Sequence, residues 1–257
     1  MTNSLAIQLR VLHALIMREV LTRYGRNNIG FLWLILEPML FTLGVTALWI
    51  AFRPIYGSNL SVAAFAITGY CSVLLWRNCA NRCALAILPN RSLLHHRNVK
   101  VLDLFLARLA LEIAGATVAM LALSVVFIAL GLMSLPVDIA TMLGGWMILI
   151  LFSVGLGLLV GALTERSDVA ERLWHPVSYF LFPVSGAVYM VEWLPSNLQD
   201  AALLIPMVHG VELMREGYFG AQVHAHYNIT YATGVSLALI LLGLVLVRTA
   251  AYRVEQQ

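Results

Sequence analysis

The chain changes from polar to apolar within Arg18–Pro38, which reads REVLTRYGRNNIGFLWLILEP. Apolar residues before and within this stretch recur at near-helical spacing. Glu19 precedes Arg23 by four residues, the favourable order for a helical ion pair. A helix of this kind lies in the membrane–water interface, with its arginines on lipid phosphates and its leucines among the acyl chains. The stretch therefore predicts an interfacial helix over residues 5–26 that leads into a first membrane span.

A secretory signal peptide is the alternative interpretation of this stretch. The apolar run begins near residue 29 rather than near residue 8, and no small-residue cleavage site follows it. We therefore expect this run to be a membrane span of the mature chain.

The composition excludes a soluble domain. Of the 257 residues, 61% are hydrophobic and 11% are charged, whereas about a quarter of a soluble domain is charged. No low-complexity tract or Gly/Ser linker interrupts residues 1–257, which are expected to form one all-α integral membrane domain. Cys71, Cys79 and Cys83 lack CxxC spacing, so we expect small core residues rather than a metal site or disulfides.

Six apolar runs are predicted to cross the bilayer, for which roughly 17–25 residues are needed. They are Ile29–Phe52, Leu60–Trp76, Leu104–Leu135, Ile139–Leu163, Leu173–Val191 and Asn228–Val247. The fourth run carries several glycines that permit close helix packing. Residues 193–220, between the fifth and sixth runs, contain an apolar patch too short to span. They are predicted to form a re-entrant helical element on the outer side.

The basic residues orient the chain. Six spans put both termini on one side of the membrane, and 14 of the 16 Lys and Arg residues fall on that side. Only Arg53 and Arg215 fall on the other. Because positive charge is enriched in cytoplasmic loops, both termini are predicted to be cytoplasmic.

The sequence lacks the motifs of an enzyme or a nucleotide-binding protein. It has no GxxxxGKS/T loop, and Lys100 is its only lysine. It has no HExxH or GxSxG motif either, so we expect no catalytic residue, metal or cofactor in this chain. His95 and His96 are expected in a solvated turn. Arg108 precedes Glu112 by four residues, which favours a local ion pair near the cytoplasmic end of a span.

Aromatic side chains at span ends are candidates for sugar binding, because the C–H face of a sugar ring packs on an aromatic ring. Trp33, Tyr70, Trp76 and Tyr179 are the better candidates, since their spans also carry polar or helix-breaking residues. The alternative for each is an interfacial aromatic belt, to which we assign Trp146.

Three motifs lie in register across about 200 residues. They are Arg18–Pro38 with its RYGR and GFLW segments, His96–Glu112 with HRNVKVLD, and Pro206–Tyr218 with PMVHGVEL. Together they resemble the membrane subunit of ABC-type capsular-polysaccharide exporters of Gram-negative bacteria, although members of that family often have Asn-Pro where this chain has Ile205-Pro206. The resemblance implies a permease homodimer in the inner membrane and two copies of a soluble subunit that binds ATP and Mg²⁺. It also implies a periplasmic polysaccharide co-polymerase, an outer-membrane channel and no nucleic-acid partner.

Two segments receive roles in this interpretation. Residues 89–100 are predicted to be a cytoplasmic coupling segment on which the ATPase pushes, through Asn90, Arg91, Leu93, Leu94, His95 and Arg97. Residues 193–220 are predicted to form a periplasmic gate that contains Leu204, Pro206, His209, Glu212 and Arg215. Glu212 and Arg215, three residues apart, are expected to pair on one helical face and leave the opposite face apolar.

The predicted function is export of a lipid-anchored capsular polysaccharide, driven by ATP hydrolysis on the partner chain. The alternative within the family is an exporter of O-antigen or another lipid-linked glycan. Alternatives from other classes are a membrane-embedded enzyme that acts on lipid-linked sugars and a small-molecule exporter.

Overall fold

The computed structural model describes residues 2–24, 60–84, 86–94 and 99–255, together with residues 36, 39–40, 42–44 and 46–48. Its helices are α1 (Thr2–Tyr24), α2 (Val62–Cys83), α3 (Arg91–Leu94), α4 (Val101–Ala129), α5 (Ile139–Thr164), α6 (Asp168–Val184), α7 (Ser196–Ala202), α8 (Pro206–Phe219) and α9 (Ile229–Glu255). Short 3-10 turns lie at Leu88–Asn90, Val191–Trp193 and Gly220–Gln222. No strand occurs in these described ranges, and the all-α class is confirmed. The first predicted span, Ile29–Phe52, lies largely outside them.

Of the described helices, α2, α4, α5 and α9 are long and apolar enough to cross a membrane. They correspond to the second, third, fourth and sixth predicted spans, which identifies an integral membrane protein. α4 ends at Ala129 rather than Leu135, because Gly131 takes a φ of 69° and turns the chain. α2 continues to Cys83, seven residues past the predicted end at Trp76.

The bounds of α6 differ most from the sequence-based expectation. The helix begins at Asp168 rather than Leu173, because the Ser167 side chain caps its first turn. It ends at Val184, since Gly186 takes a φ of 79° just beyond it. The predicted run to Val191 is therefore divided into a helix of 17 residues, about 26 Å long, and a turn.

α5 is the centre of the bundle, and α2, α8 and α9 all pack on it. A Cβ atom on Gly145 would lie 2.5 Å from a backbone nitrogen of α8, and one on Gly161 would lie 2.8 Å from a backbone oxygen of α2. Only glycine permits backbones to approach this closely, as the glycine-rich run predicted. Cys71, Cys79 and Cys83 are buried on the α2 side of this core, which confirms them as core residues.

α5 and α9 run in the same direction. Gly155 of α5 lies beside Ser236 of α9, and further along both helices Leu158 lies beside Gly243. Both helices therefore begin on the same side of the bundle. The chain between them must return to that side.

α1 packs along the first half of α4. Leu15 is buried together with Leu104 and Ala107. On the opposite face of α1, Leu9 and Met17 are exposed. One face of α1 is therefore fixed to the bundle, and the other keeps an apolar surface.

Candidate functional site

The predicted coupling segment is held by hydrogen bonds from two other elements. Asn90 is buried; its Nδ2 donates to the Ala86 carbonyl at 2.9 Å, and its Oδ1 accepts from Nη1 of Arg18 on α1. The Ile87 N–H donates to Oε1 of Glu165 at 2.6 Å. Glu165 lies in the turn between α5 and α6, so the segment itself is tied to α1, and the chain two residues before the segment is tied to that turn.

Two leucines of the segment also pack on α1. Leu93 and Leu94 are half-buried and lie in the cluster built around Leu15 and Leu104. They join the segment to α1 rather than forming an exposed surface. The remaining predicted coupling residues, whose side chains lie outside the described part of the structure, are Arg91, His95 and Arg97.

Ionic contacts connect α1, α2 and α4 beside this segment. Nε of Arg108 donates to Oε1 of Glu19 at 2.9 Å, and its Nη1 donates to the Arg82 carbonyl at 2.6 Å. Nε of Arg82 lies 3.6 Å from Oε1 of Glu112. The predicted local pair of Arg108 with Glu112 is therefore wrong, because each side chain has a partner on another helix. The Arg23 side chain, the predicted partner of Glu19, lies outside the described residues.

The predicted sugar-binding aromatics have different environments. Tyr70 and Trp76 are buried in the core of the bundle. Tyr179 on α6 is 68% exposed. Trp33 lies outside the described residues. Of the three described rings, only that of Tyr179 faces the surroundings of the protomer.

The assignment of Trp146 to an outer aromatic belt is wrong. Its ring is fully buried, and Nε1 donates to Oγ1 of Thr117 on α4 at 3.1 Å. A buried indole N–H needs an acceptor, which this threonine supplies. The tryptophan is therefore part of the contact between α4 and α5.

Arg77 is a candidate that the sequence-based prediction missed. Its Cζ lies 5.7 Å from the centroid of the Tyr179 ring, so the cation lies near the exposed aromatic of α6. The predicted second span ends at Trp76 and leaves the arginine in a polar cluster outside it. Because α2 continues to Cys83, Arg77 lies within a helix able to cross the membrane. Cys79, Ala80 and Cys83, which are small residues within this polar cluster, were the available signal.

The segment between α6 and α9 forms a cap, which we define as residues 185–228, including α7 and α8. Arg215 of α8 ties the turn after α6 into it. Its Nη1 donates to the carbonyls of Gly186 (2.7 Å) and Tyr189 (2.5 Å), and its Nη2 donates to that of Ala187 (2.7 Å). The guanidinium also lies 3.8 Å from the Phe65 ring centroid. Burial lowers the pKa of Arg215 to about 10, which leaves it charged at neutral pH.

Glu212 holds two further parts of the cap. Its carboxylate accepts from the N–H of Val191 at 3.2 Å and from that of His226 at 3.1 Å. Burial raises the pKa of Glu212, and the positive charge of Arg215 opposes that shift. The predicted ion pair between Glu212 and Arg215 is wrong, because the two side chains bind backbone groups of different segments. α8 is also buried on nearly all sides rather than on one face.

The other predicted gate residues lie at the start of α8. Nδ1 of His209 accepts from the Asn228 N–H at 3.0 Å, so its Nε2 carries the proton and donates to the Leu203 carbonyl at 2.9 Å. Burial lowers the pKa of His209 below its ordinary 6.5, which favours this neutral ring. Leu204 is 70% exposed, and Pro206 is the first residue of α8.

Contacts along α5 give the depth of α8 in the bundle. Gly210 approaches Leu149, whereas Gly217 approaches Met142, so the two helices are antiparallel. Leu149 is ten residues beyond Ile139, the first residue of α5, a distance of about 15 Å along the axis. α8 therefore begins deep along α5 and runs back toward the end at which α5 starts.

Comparison with known proteins agrees with this architecture. Residues 10–219 match the ABC-2 type transporter family. Over 255 residues the chain is 46% identical to the capsule polysaccharide export inner-membrane protein CtrC of Neisseria meningitidis serogroup B and 44% identical to BexB of Haemophilus influenzae. Both alignments cover 99% of the chain and 96% of the relative. The chain is also 28% identical over 247 residues to the polysialic acid transport protein KpsM of Escherichia coli. That alignment covers 95% of the chain and 94% of the relative. The chain belongs to the ABC-2 type transporter membrane family.

Proposed function

We propose that this chain is the permease subunit of an ATP-driven exporter that moves a lipid-anchored capsular polysaccharide across the bacterial inner membrane. One observation carries the proposal: the similarity to proteins named for capsule polysaccharide export at the inner membrane runs over 99% of the chain. The sequence has no phosphate-binding loop, so ATP and Mg²⁺ belong to two copies of a soluble partner.

The permease has six spans and both termini in the cytoplasm. Because α5 and α9 run parallel, the chain between them crosses the bundle once, and α6 is the helix placed to make that crossing. Together with the predicted span Ile29–Phe52 and the four apolar helices, this supports six spans. Six helices are few for enclosing a polymer, so two copies of the chain share the path about a two-fold axis.

Residues 89–100 transmit the stroke of the ATPase. Asn90 is bonded to Arg18 of α1, and the Ile87 N–H is bonded to Glu165 at the start of the loop into α6. The far end of α6 leads into the carbonyls that Arg215 holds. A push on the segment therefore has a continuous route through α6 to the cap.

The cap acts as the periplasmic gate. Its helix α8 begins about 15 Å along α5, which suits a re-entrant element beside the path. Leu204 is exposed in the turn just before α8. A Leu204→Cys variant should therefore react with a membrane-impermeant thiol reagent faster during export than at rest. A co-polymerase and an outer-membrane channel would receive the polymer beyond it. Labelling that is independent of ATPase activity would leave the cap as a docking site for that partner.

A strain that lacks this gene tests the proposed function. We expect surface polysaccharide to disappear and lipid-linked polymer to accumulate in the cytoplasm, with both reversed by the wild-type gene. An enzyme acting on lipid-linked sugars would instead leave the internal polymer unfinished or missing. That outcome, or unchanged surface polymer, would refute the assignment as exporter.

A further inference from the structure

Arg77 lies at a depth where a charge requires an explanation. It is six residues before Cys83, the end of α2, or about 9 Å along the helix axis. Two residues further on, the Cys79 carbonyl faces Gly157 of α5, which is itself seven residues before Thr164 at the end of α5. Arg77 therefore lies more than one turn inside the end of a helix that is long and apolar enough to cross a membrane. An arginine at this depth faces protein or a water-filled cavity, because exposure to lipid costs roughly 2.5–3.5 kcal/mol or more.

Within the described part of the chain, the charge of Arg77 is not paired with a carboxylate. Its Nε is buried and has no hydrogen-bond partner, and no carboxylate in the described chain lies within ion-pairing distance of it. Its Cζ lies 5.7 Å from the centroid of the Tyr179 ring. One turn further along α2, Asn81 already accepts from Nε1 of Trp174 at 2.7 Å. The buried Nε–H of Arg77 is therefore a donor without a hydrogen-bond partner.

The Tyr179 ring beside Arg77 is accessible from outside the protomer. The ring is 68% exposed and lies on the surface of α6 that faces away from the bundle. Trp174 and Ser178 bury the other side of α6. A fixed cation next to an exposed ring presents both an anion-binding group and a flat apolar face to the same space.

We propose that Arg77 and Tyr179 form an anion-binding site in the polysaccharide path. The surface of α2 and α6 that carries them then faces a water-filled path rather than lipid. The polymer is then acidic: a carboxylate or phosphate on it bonds to the guanidinium, while the Tyr179 ring packs on the sugar. The proposal rests on the proposed function and adds the residues that bind an acidic group of the substrate and the helix surface that lines the path.

Charge-selective thiol labelling of the purified permease tests the site without requiring export. The Tyr179→Cys variant is treated in low-salt buffer with an anionic and a cationic methanethiosulfonate. Val245→Cys, at an exposed position of the spanning helix α9, is the lipid-facing control. The unmodified chain supplies the background, because its described thiols are buried. We expect Tyr179→Cys to react with both reagents and Val245→Cys with neither.

The effect of Arg77 is read from the ratio of the two labelling rates. In Tyr179→Cys the anionic reagent should react faster. One charge at about 6 Å in water changes each rate about threefold, in opposite directions for the two reagents, so adding Arg77→Gln should lower the anionic-to-cationic ratio about tenfold. Arg77→Lys, which keeps the charge, should preserve the ratio. Labelling of Tyr179→Cys no faster than that of Val245→Cys would place the surface in lipid, and an unchanged ratio in Arg77→Gln would refute the anion site.

Export in cells provides the second test. Arg77→Gln should slow the appearance of an acidic polymer at the surface several-fold, and Arg77→Lys should slow it less. Arg172→Gln, at an exposed position on the first turns of α6, is the matched control and should match the wild type. Equal rates for Arg77→Gln and Arg172→Gln would overturn the proposal. If the wild type moves no glycan, the proposed function fails, while the charge-selective labelling still decides whether the anion site exists.

Discussion

The Arg215→Met variant tests whether Arg215 holds α8 to the turn after α6. Methionine keeps the length of the side chain but removes the donors to the carbonyls of Gly186, Ala187 and Tyr189. A buried acceptor left without a donor costs about 1–3 kcal/mol, and removal of a buried charge partly offsets the sum. We therefore expect the free energy of unfolding to fall by roughly 3–5 kcal/mol, which lowers the melting temperature by roughly 6–20 °C for a chain of this size.

The native cysteines provide the assay. Cys71, Cys79 and Cys83 are buried in the folded protein, so a thiol-reactive fluorogenic dye reports unfolding of the detergent-solubilised protein directly. Leu198→Ala, an exposed position of α7, is the matched control and should change the free energy of unfolding by less than about 0.5 kcal/mol. A melting temperature of Arg215→Met equal to that of Leu198→Ala would refute the role of the guanidinium.

A double variant separates the two charged residues of α8. Because Glu212 and Arg215 bind different backbone groups, Glu212→Gln combined with Arg215→Met should cost clearly more stability than either change alone. If the residues acted mainly as a pair, the double variant would cost no more than the worse single variant.

Three further changes probe coupling, packing and protonation. Glu165→Ala removes the acceptor for the Ile87 N–H and should reduce export several-fold, whereas Glu165→Gln keeps an oxygen acceptor and should retain most of the export. Equal export by the two variants would show that this hydrogen bond takes no part in coupling. Gly145→Val places a Cβ 2.5 Å from a backbone nitrogen of α8 and should cost about 1–3 kcal/mol in the thiol-dye assay, so a wild-type melting temperature would contradict the packing. Burial lowers the pKa of His209, so the folded chain binds fewer protons than the unfolded chain at a pH near 6.5. The free energy of unfolding should therefore decline as the pH falls from 6.5 through that lowered pKa. His209→Gln should make this decline less steep, and an equal decline in the wild type and the variant would exclude this histidine as its cause.

The class and most of the spans could be predicted because they depend on one-dimensional quantities. The free energy of transfer into lipid follows the length of an apolar run, so the runs that became α4, α5 and α9 were recognisable without a partner. The glycines of α5 were recognisable for a similar reason, since small residues on a span indicate a close neighbour. Which helix that neighbour was could not be read from the sequence.

The side-chain partners could not be predicted because they are tertiary. A pair three or four residues apart on a helix is worth only about 0.2–0.5 kcal/mol, so Glu212 and Arg215 take backbone groups from other segments, where bonds to a charge are worth about 1.5–3 kcal/mol. Trp146 looks the same in a belt or a core until Thr117 appears beside it. Arg77 was hidden because it opens a polar cluster with Asn78, Asn81 and Arg82, which ended the apolar run that defined its span.

Reconstitution of the permease with its ATPase in proteoliposomes tests the central claim most directly. The measurement is the transfer of radiolabelled lipid-linked polysaccharide from the ATP-containing side to the opposite side of the vesicle membrane. The account predicts transfer that requires ATP, the ATPase and this chain together, and none when the ATPase cannot hydrolyse ATP. Transfer by this chain without the ATPase, or chemical alteration of the glycan by this chain alone, would contradict it.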